Sequence, residues 1–181
     1  MKRSIAIIFS FILVGIALMG QPPTSDVQRD IVSETYLSQV GVVEATGNND
    51  GVQVEAYLSS AGLSKGAPWC AAFVNWCFEQ NGIPGPEKHP AYSPSWFPKD
   101  RPINSPPERA DVFGIYFKSL GRVAHVGFID SWHGTYVITV EGNTNDTGSR
   151  EGNAVLKKRR LSRQIYATCD WLTYKNRYSN G

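Results

Sequence analysis

The stretch Pro68-Trp69-Cys70-Ala71-Ala72-Phe73-Val74-Asn75-Trp76 reads as the opening of a helix with a cysteine in its first turn. Proline is favoured at the first helical position, which places Pro68 there, and Ala71 and Ala72 are good helix formers. Cys70, Phe73, Val74 and Cys77 recur at helical spacing on one apolar face, and Asn81-Gly82 supplies the stop. The partial positive charge of a helix N-terminus lowers a thiol pKa, and thiolate is the nucleophilic form, so Cys70 is a candidate nucleophile. A cysteine on an apolar face is also an ordinary core residue. The choice between the two rests on the residues that the fold brings to it.

Upstream, Val27, Ile31, Tyr36, Leu37, Val40 and Val43 recur at roughly helical spacing and predict a first helix from Ser25 to about Thr46, broken by Gly47-Asn48-Asn49-Asp50-Gly51. Asp50 is a suitable N-cap for a second helix, Gly51 to Ser60, with Val54, Tyr57 and Leu58 facing inward. Downstream, residues 82–107 are rich in proline and hold neither helical nor strand periodicity. Loops of this length inside a domain are functional or disordered, and Tyr92, Trp96 and Phe97 argue against disorder, so we read this one as a wall of a substrate cleft. After Arg109 the pattern changes to Val-, Ile-, Phe- and Tyr-rich runs over residues 111–117, 123–131, 136–141, 154–161 and 164–172, with Gly, Asn, Asp and Ser between them. Helices first and strands afterwards predict an α+β fold, its N-terminal helices packed on a C-terminal antiparallel sheet.

A cysteine nucleophile needs a base within reach of sulfur and a third group that fixes the base's tautomer. His89 and His133 fall in a loop and at a hairpin tip, whereas His125 lies inside the apolar run Val123-Ala124-His125-Val126-Gly127-Phe128. Burying its ring without a partner would cost about 1–3 kcal/mol. If Trp132-His133-Gly134 is a three-residue hairpin loop, Glu141 falls opposite His125, and shifting the turn by one residue puts Asn143 there instead. Either register brings Glu141-Gly142-Asn143 beside the histidine. The alternative reading of the same residues is an ordinary satisfied core histidine beside a polar strand end. The histidines are not at metal-ligand spacings and there is no C-x-x-C pair, so neither a metal nor another cofactor is expected.

Taken together, Pro-Trp-Cys at a helix start, the strand Ala124-His125-Val126-Gly127-Phe128-Ile129 and the strand end Glu141-Gly142-Asn143-Thr144 resemble the CHAP family of cysteine, histidine-dependent amidohydrolases and peptidases, within the papain-like superfamily. The likeness runs from about Tyr36 to Leu172. It implies Cys70 as nucleophile, His125 as general base and acid, Glu141 orienting His125, and Asn143 as a polar support. It also implies amide bonds of peptidoglycan as the substrate. Trp69 and Trp96 are expected to contact that substrate. The acid-poor segment Leu63 to Trp69 gives no calcium loop of the kind some relatives carry.

The chain is expected to divide into residues 1–20 as an export signal, 21–35 as linker and helix start, 36–175 as the CHAP-like catalytic domain and 176–181 as a tail. Lys2 and Arg3 precede an uncharged apolar run, Ile5 to Met19, which at about 15 residues falls short of the roughly 20 that span a bilayer. A cleaved signal is therefore expected over a membrane anchor, with the mature chain in the periplasm, the cell envelope or outside the cell. About 160 residues remain, one domain's worth. Without Lys2 and Arg3 the formal charge falls from +2 to neutrality, which argues against a nucleic-acid partner, and Lys157-Lys158-Arg159-Arg160 reads as the solvated end of a strand. Three cysteines leave at least one unpaired; Cys77 and Cys169 either form a bridge or stay as separate buried thiols. An idle wall-binding module, or a toxin or lysin aimed at other cells and matched by an inhibitor protein, is the alternative to a hydrolase acting on the cell's own wall.

Overall fold

The computed structural model describes residues 24–101, 105–146 and 152–173. The expected export signal and the tail 176–181 lie outside the described residues. Three helices come first, α1 (Ser25–Ser38), α2 (Val52–Ser60) and α3 (Cys70–Gln80). Five strands follow, β1 (Val112–Phe117), β2 (Arg122–Trp132), β3 (Tyr136–Thr144), β4 (Ala154–Leu161) and β5 (Ala167–Cys169). They form one antiparallel sheet in the order β4-β3-β2-β1-β5, so the fold is α+β as expected.

Helix α1 is shorter than its apolar spacing predicts. The chain leaves the helix after Ser38, and at Gly41 it takes a φ of 97°, a conformation that glycine adopts without steric cost. The buried stripe is Arg29, Val32, Ser33 and Tyr36, while Val27, Ile31, Val40 and Val43 are exposed. An arginine can hold a core position here because acids surround it. Arg29 lies 2.8 Å from Asp111, 3.1 Å from Asp170 and 3.0 Å from Glu108. It thereby ties α1 to the entrance of β1 and the exit of β5. In α2 the cap is Gly51 rather than Asp50, whose carboxylate accepts from the Thr46 N–H and hydroxyl and closes the preceding turn instead. Pro68 likewise lies outside α3, which is capped by Trp69. The last strand is confined to Ala167–Cys169 because Ser162–Gln164 form a 3-10 turn.

Helix α3 is buried along nearly its whole length, and its aromatic side chains meet the sheet at Phe128. Phe128 stacks on Tyr36 at 4.8 Å between centroids and receives the edges of Phe78 at 5.3 Å and Phe73 at 6.1 Å. One residue of β2 therefore joins α1, α3 and the sheet. Phe128→Ala is expected to cost about 3–5 kcal/mol, from lost transfer energy and an unfilled cavity. Urea unfolding would show this as a lower midpoint; a loss under 1 kcal/mol would mean that the helices dock elsewhere.

Candidate active site

Cys70 is the first residue of α3 and only 8 % exposed. Asn143, near the end of β3, holds the helix start against the sheet. The Trp69 N–H donates to Asn143 Oδ1 at 3.1 Å, and Asn143 Nδ2 donates to Asn49 Oδ1 at 3.1 Å and to the Gly152 carbonyl at 2.5 Å. Asn143 does this from a φ of 53°, which asparagine tolerates better than most residues. Gly142 has no left-handed requirement. It is needed for close approach, since a Cβ there would lie 2.7 Å from Phe73 Cβ and 2.8 Å from the Trp69 ring.

The hairpin adopts the second of the two anticipated registers. Phe128 pairs with Val140, with a bulge between Ile129 and Ser131, and counting on sets Gly127 opposite Glu141 and His125 opposite Asn143. Glu141 reaches His125 diagonally across Gly127, where a Cβ would come within 3.1 Å of Glu141 Cγ. Nε2 of His125 lies 2.8 Å from Glu141 Oε2, which leaves Nδ1 for the sulfur. A carboxylate at Nε2 favours the tautomer whose Nδ1 lone pair accepts the thiol proton.

Glu141 is fully buried and answers to more than the histidine. Arg160 grips both of its oxygens, Nε to Oε1 and Nη2 to Oε2, each at 2.5 Å, and the Thr139 hydroxyl donates to Oε1 at 2.6 Å. Burial opposes its ionisation, but the hydrogen bonds and charges of Arg160 and His125 hold its pKa well below the usual carboxylate range. His125 follows the same logic. Burial disfavours its charged form, yet hydrogen bonds and charge from Cys70 and Glu141 raise its pKa to about 9. Burial also opposes the Cys70 thiolate, and the His125 hydrogen bond and charge, the Val126 N–H and Ser93 outweigh it, so the thiol pKa is lowered. The Ser93 hydroxyl stands 3.8 Å from Sγ. Both shifts favour a thiolate–imidazolium pair.

The other cysteines behave oppositely. Cys77 and Cys169 are free and buried, with no bridge between them, and burial pushes the Cys77 thiol far up and that of Cys169 to about 12. Trp69 and Trp96 need correction as substrate contacts, because both have 0 % exposure. The Trp69 indole donates to Glu44 at 2.7 Å and stacks on Tyr57; the Trp96 indole donates to the Pro90 carbonyl at 2.9 Å and stacks on Phe78. They are packing residues beneath the site. Arg160, Ser93 and Glu44 were not singled out from the sequence. For Arg160 a signal existed: in Lys157-Lys158-Arg159-Arg160 every second residue turns toward the sheet face that carries Thr139 and Glu141.

Two clefts meet at Cys70. One, of about 530 Å³, is polar, with Glu44, Asn49, Asn143 and Asn153 in its wall beside His125. The other, of about 630 Å³, is walled by Leu63, Ala67 and residues His89 to Ser93 of the long loop. Pro68, Cys70, Arg122 and Ala124 line both.

The site sets a cysteine at a helix N-terminus against a histidine on an adjoining strand of the antiparallel sheet. Residues 62–143, just under half of the chain, match the family model of the CHAP domain, a span that includes Cys70, His125, Glu141 and Asn143. A solved structure from Staphylococcus aureus subsp. aureus Mu50, described as similar to lipoprotein, NLP/P60 family, aligns with a TM-score of 0.47 at 13 % identity. The alignment covers 85 % of this chain and 44 % of that one, so the chain spans less than half the length of that protein. No curated protein matches the sequence.

Proposed function

We propose that this chain is an exported cysteine hydrolase that cleaves amide bonds of peptidoglycan, with Cys70 as nucleophile, His125 as general acid and base, and Glu141 orienting the imidazole. The observation that carries the reading is the position of His125, held through Nε2 by a buried carboxylate at 2.8 Å with its other nitrogen left for the thiol of Cys70. The thiolate attacks the amide carbonyl, and the carbonyl π electrons move to oxygen, where the backbone N–H at the start of α3 donates to the oxyanion. Collapse of this intermediate breaks the C–N bond as the His125 imidazolium gives its proton to the departing amine. His125, now neutral, takes a proton from water, whose oxygen attacks the thioester; collapse expels the Cys70 thiolate and releases a carboxylic acid. Among the described residues no helix is long and apolar enough to cross a membrane. Export is supported by the apolar leader at residues 5–19.

The test is digestion of purified peptidoglycan by the chain from Pro22 onward, with masses of the released fragments naming the bond cut. If the protein sediments with several wall types and releases nothing, it is a binding module and the hydrolase reading fails. The pH dependence gives a second check. The thiolate–imidazolium pair is lost in acid when Cys70 gains a proton and in alkali when His125 loses one. A plot of kcat/KM against pH is therefore expected to fall on its alkaline side near pH 9 and on its acid side below the ordinary thiol range. An alkaline limb near the ordinary histidine value of about 6.5 would rule out the pair.

A further inference from the structure

Arg122 opens β2 three residues before His125, about 10 Å away along the strand at roughly 3.3 Å per residue. Among the described residues it is the only Arg or Lys that lines either cleft, and it lines both, beside Cys70. Its Nη1 donates to the Val123 carbonyl at 3.0 Å, and its guanidinium carbon stands 5.2 Å from the centre of the Tyr92 ring, within cation–π range. Neither contact neutralises its charge. The acid in the polar cleft, Glu44, is engaged elsewhere: Oε1 accepts from the Trp69 indole and Oε2 from the Asn49 N–H at 2.9 Å. A half-buried guanidinium, steadied by an aromatic face and set at the mouth shared by two clefts, offers a planar fork of N–H donors to an incoming anion. A carboxylate matches that fork with two parallel hydrogen bonds.

We propose that Arg122 is a specificity residue that binds a carboxylate of the substrate's peptide close to the amide attacked by Cys70. The identity of the substrate rests on the proposed function; the preference for an anion beside the thiolate does not. Arg122 acts in binding, so its loss raises KM and leaves kcat nearly unchanged. Substrates whose free carboxylates have been converted to carboxamides lose the same interaction from the other side.

The experiment has two arms, run on the chain from Pro22 onward as unmodified protein, Arg122→Gln, Arg122→Lys and, as a control, Arg163→Gln at an exposed site remote in sequence. In the first arm, Cys70 is alkylated with iodoacetate and with iodoacetamide, which differ by one carboxylate against one carboxamide, and the modified site is read by mass spectrometry. Arg122→Gln is expected to lower the iodoacetate-to-iodoacetamide rate ratio severalfold with the iodoacetamide rate unchanged, which also shows that the variant keeps its folded site. Arg122→Lys retains the charge and most of the ratio, and Arg163→Gln retains all of it. In the second arm, peptidoglycan fragments with free and with amidated carboxylates are compared. Arg122→Gln is expected to raise KM about tenfold or more on the free acid, the scale of a lost hydrogen bond to a charged group, Arg122→Lys to raise it less, and both to leave the amidated fragment unaffected. An unchanged alkylation ratio in Arg122→Gln, or an equal rise in KM on both fragments, overturns the proposal. If the unmodified protein cuts no fragment, the proposed function fails, and the alkylation ratio alone decides whether Arg122 serves an anion.

Discussion

Cys70→Ala is expected to lower fragment release from purified peptidoglycan by about four orders of magnitude or more, since no other group near the site can form the acyl intermediate. Ser93 does not substitute for it: its hydroxyl stands 3.8 Å from the sulfur, but His125 is aimed at Cys70. Cys77 and Cys169 are buried thiols whose ionisation is suppressed. Groups that act as a unit are not additive, so Cys70→Ala combined with His125→Ala should be no slower than Cys70→Ala alone. A tenfold loss in the single variant, or a clear further loss in the double, would mean that another residue makes the covalent bond.

Glu141→Gln should damage both activity and folding, for separable reasons. The carboxylate takes His125 Nε2 at 2.8 Å and both donors of Arg160 at 2.5 Å. Glutamine offers one carbonyl oxygen and an NH₂ that donates toward groups which themselves donate. Arg160 is then left as a largely buried cation without its anion, a loss of about 3–5 kcal/mol for a broken buried pair. His125 loses the contact that fixes its tautomer and raises its pKa, which should reduce kcat/KM by roughly three to four orders of magnitude. The pH dependence has a definite sign. A carboxyl whose folded pKa is depressed contributes stability that is fully present above the ordinary carboxylate range and is lost as pH falls through that range toward the folded value. Urea midpoints of the unmodified protein should therefore fall as pH drops below about 4, while those of Glu141→Gln change less. Glu141→Leu with Arg160→Met removes both charges together and should recover much of the stability with none of the activity. Recovery of activity in that pair would sink the orienting role.

The residues of the proposed site are legible in the sequence where the signal is local. A cysteine opening a helix, a histidine inside an apolar strand and a carboxylate one hairpin away depend only on helix and strand periods and on one turn. The register needed the structure, because a bulge between Ile129 and Ser131 shifts the count by one residue. Arg160 was hidden for a different reason. A basic run looks solvated unless its alternation is read against the strand beside it, and that neighbour becomes known only when β3 and β4 are paired. Trp69 adjoins Cys70 and Trp96 lies in the long loop, but neither placement fixes the direction of a side chain, and both rings turn inward. Arg29 shows the limit of hydrophobic periodicity, since the stripe of α1 that is buried is centred on a charge whose partners lie far along the chain.

That last cluster sets an order of events during synthesis. Arg29 is made 82 residues before Asp111, and Asp170 later still. Until Glu108 and Asp111 exist, helix α1 would have to bury an uncompensated guanidinium to dock, which disfavours the stacking of Tyr36 on Phe128. Contacts this distant in sequence close large loops, which slows folding. A nascent chain stopped short of β5 therefore holds Arg29 with two of its three acids, and Asp170 completes the set as β5 is added.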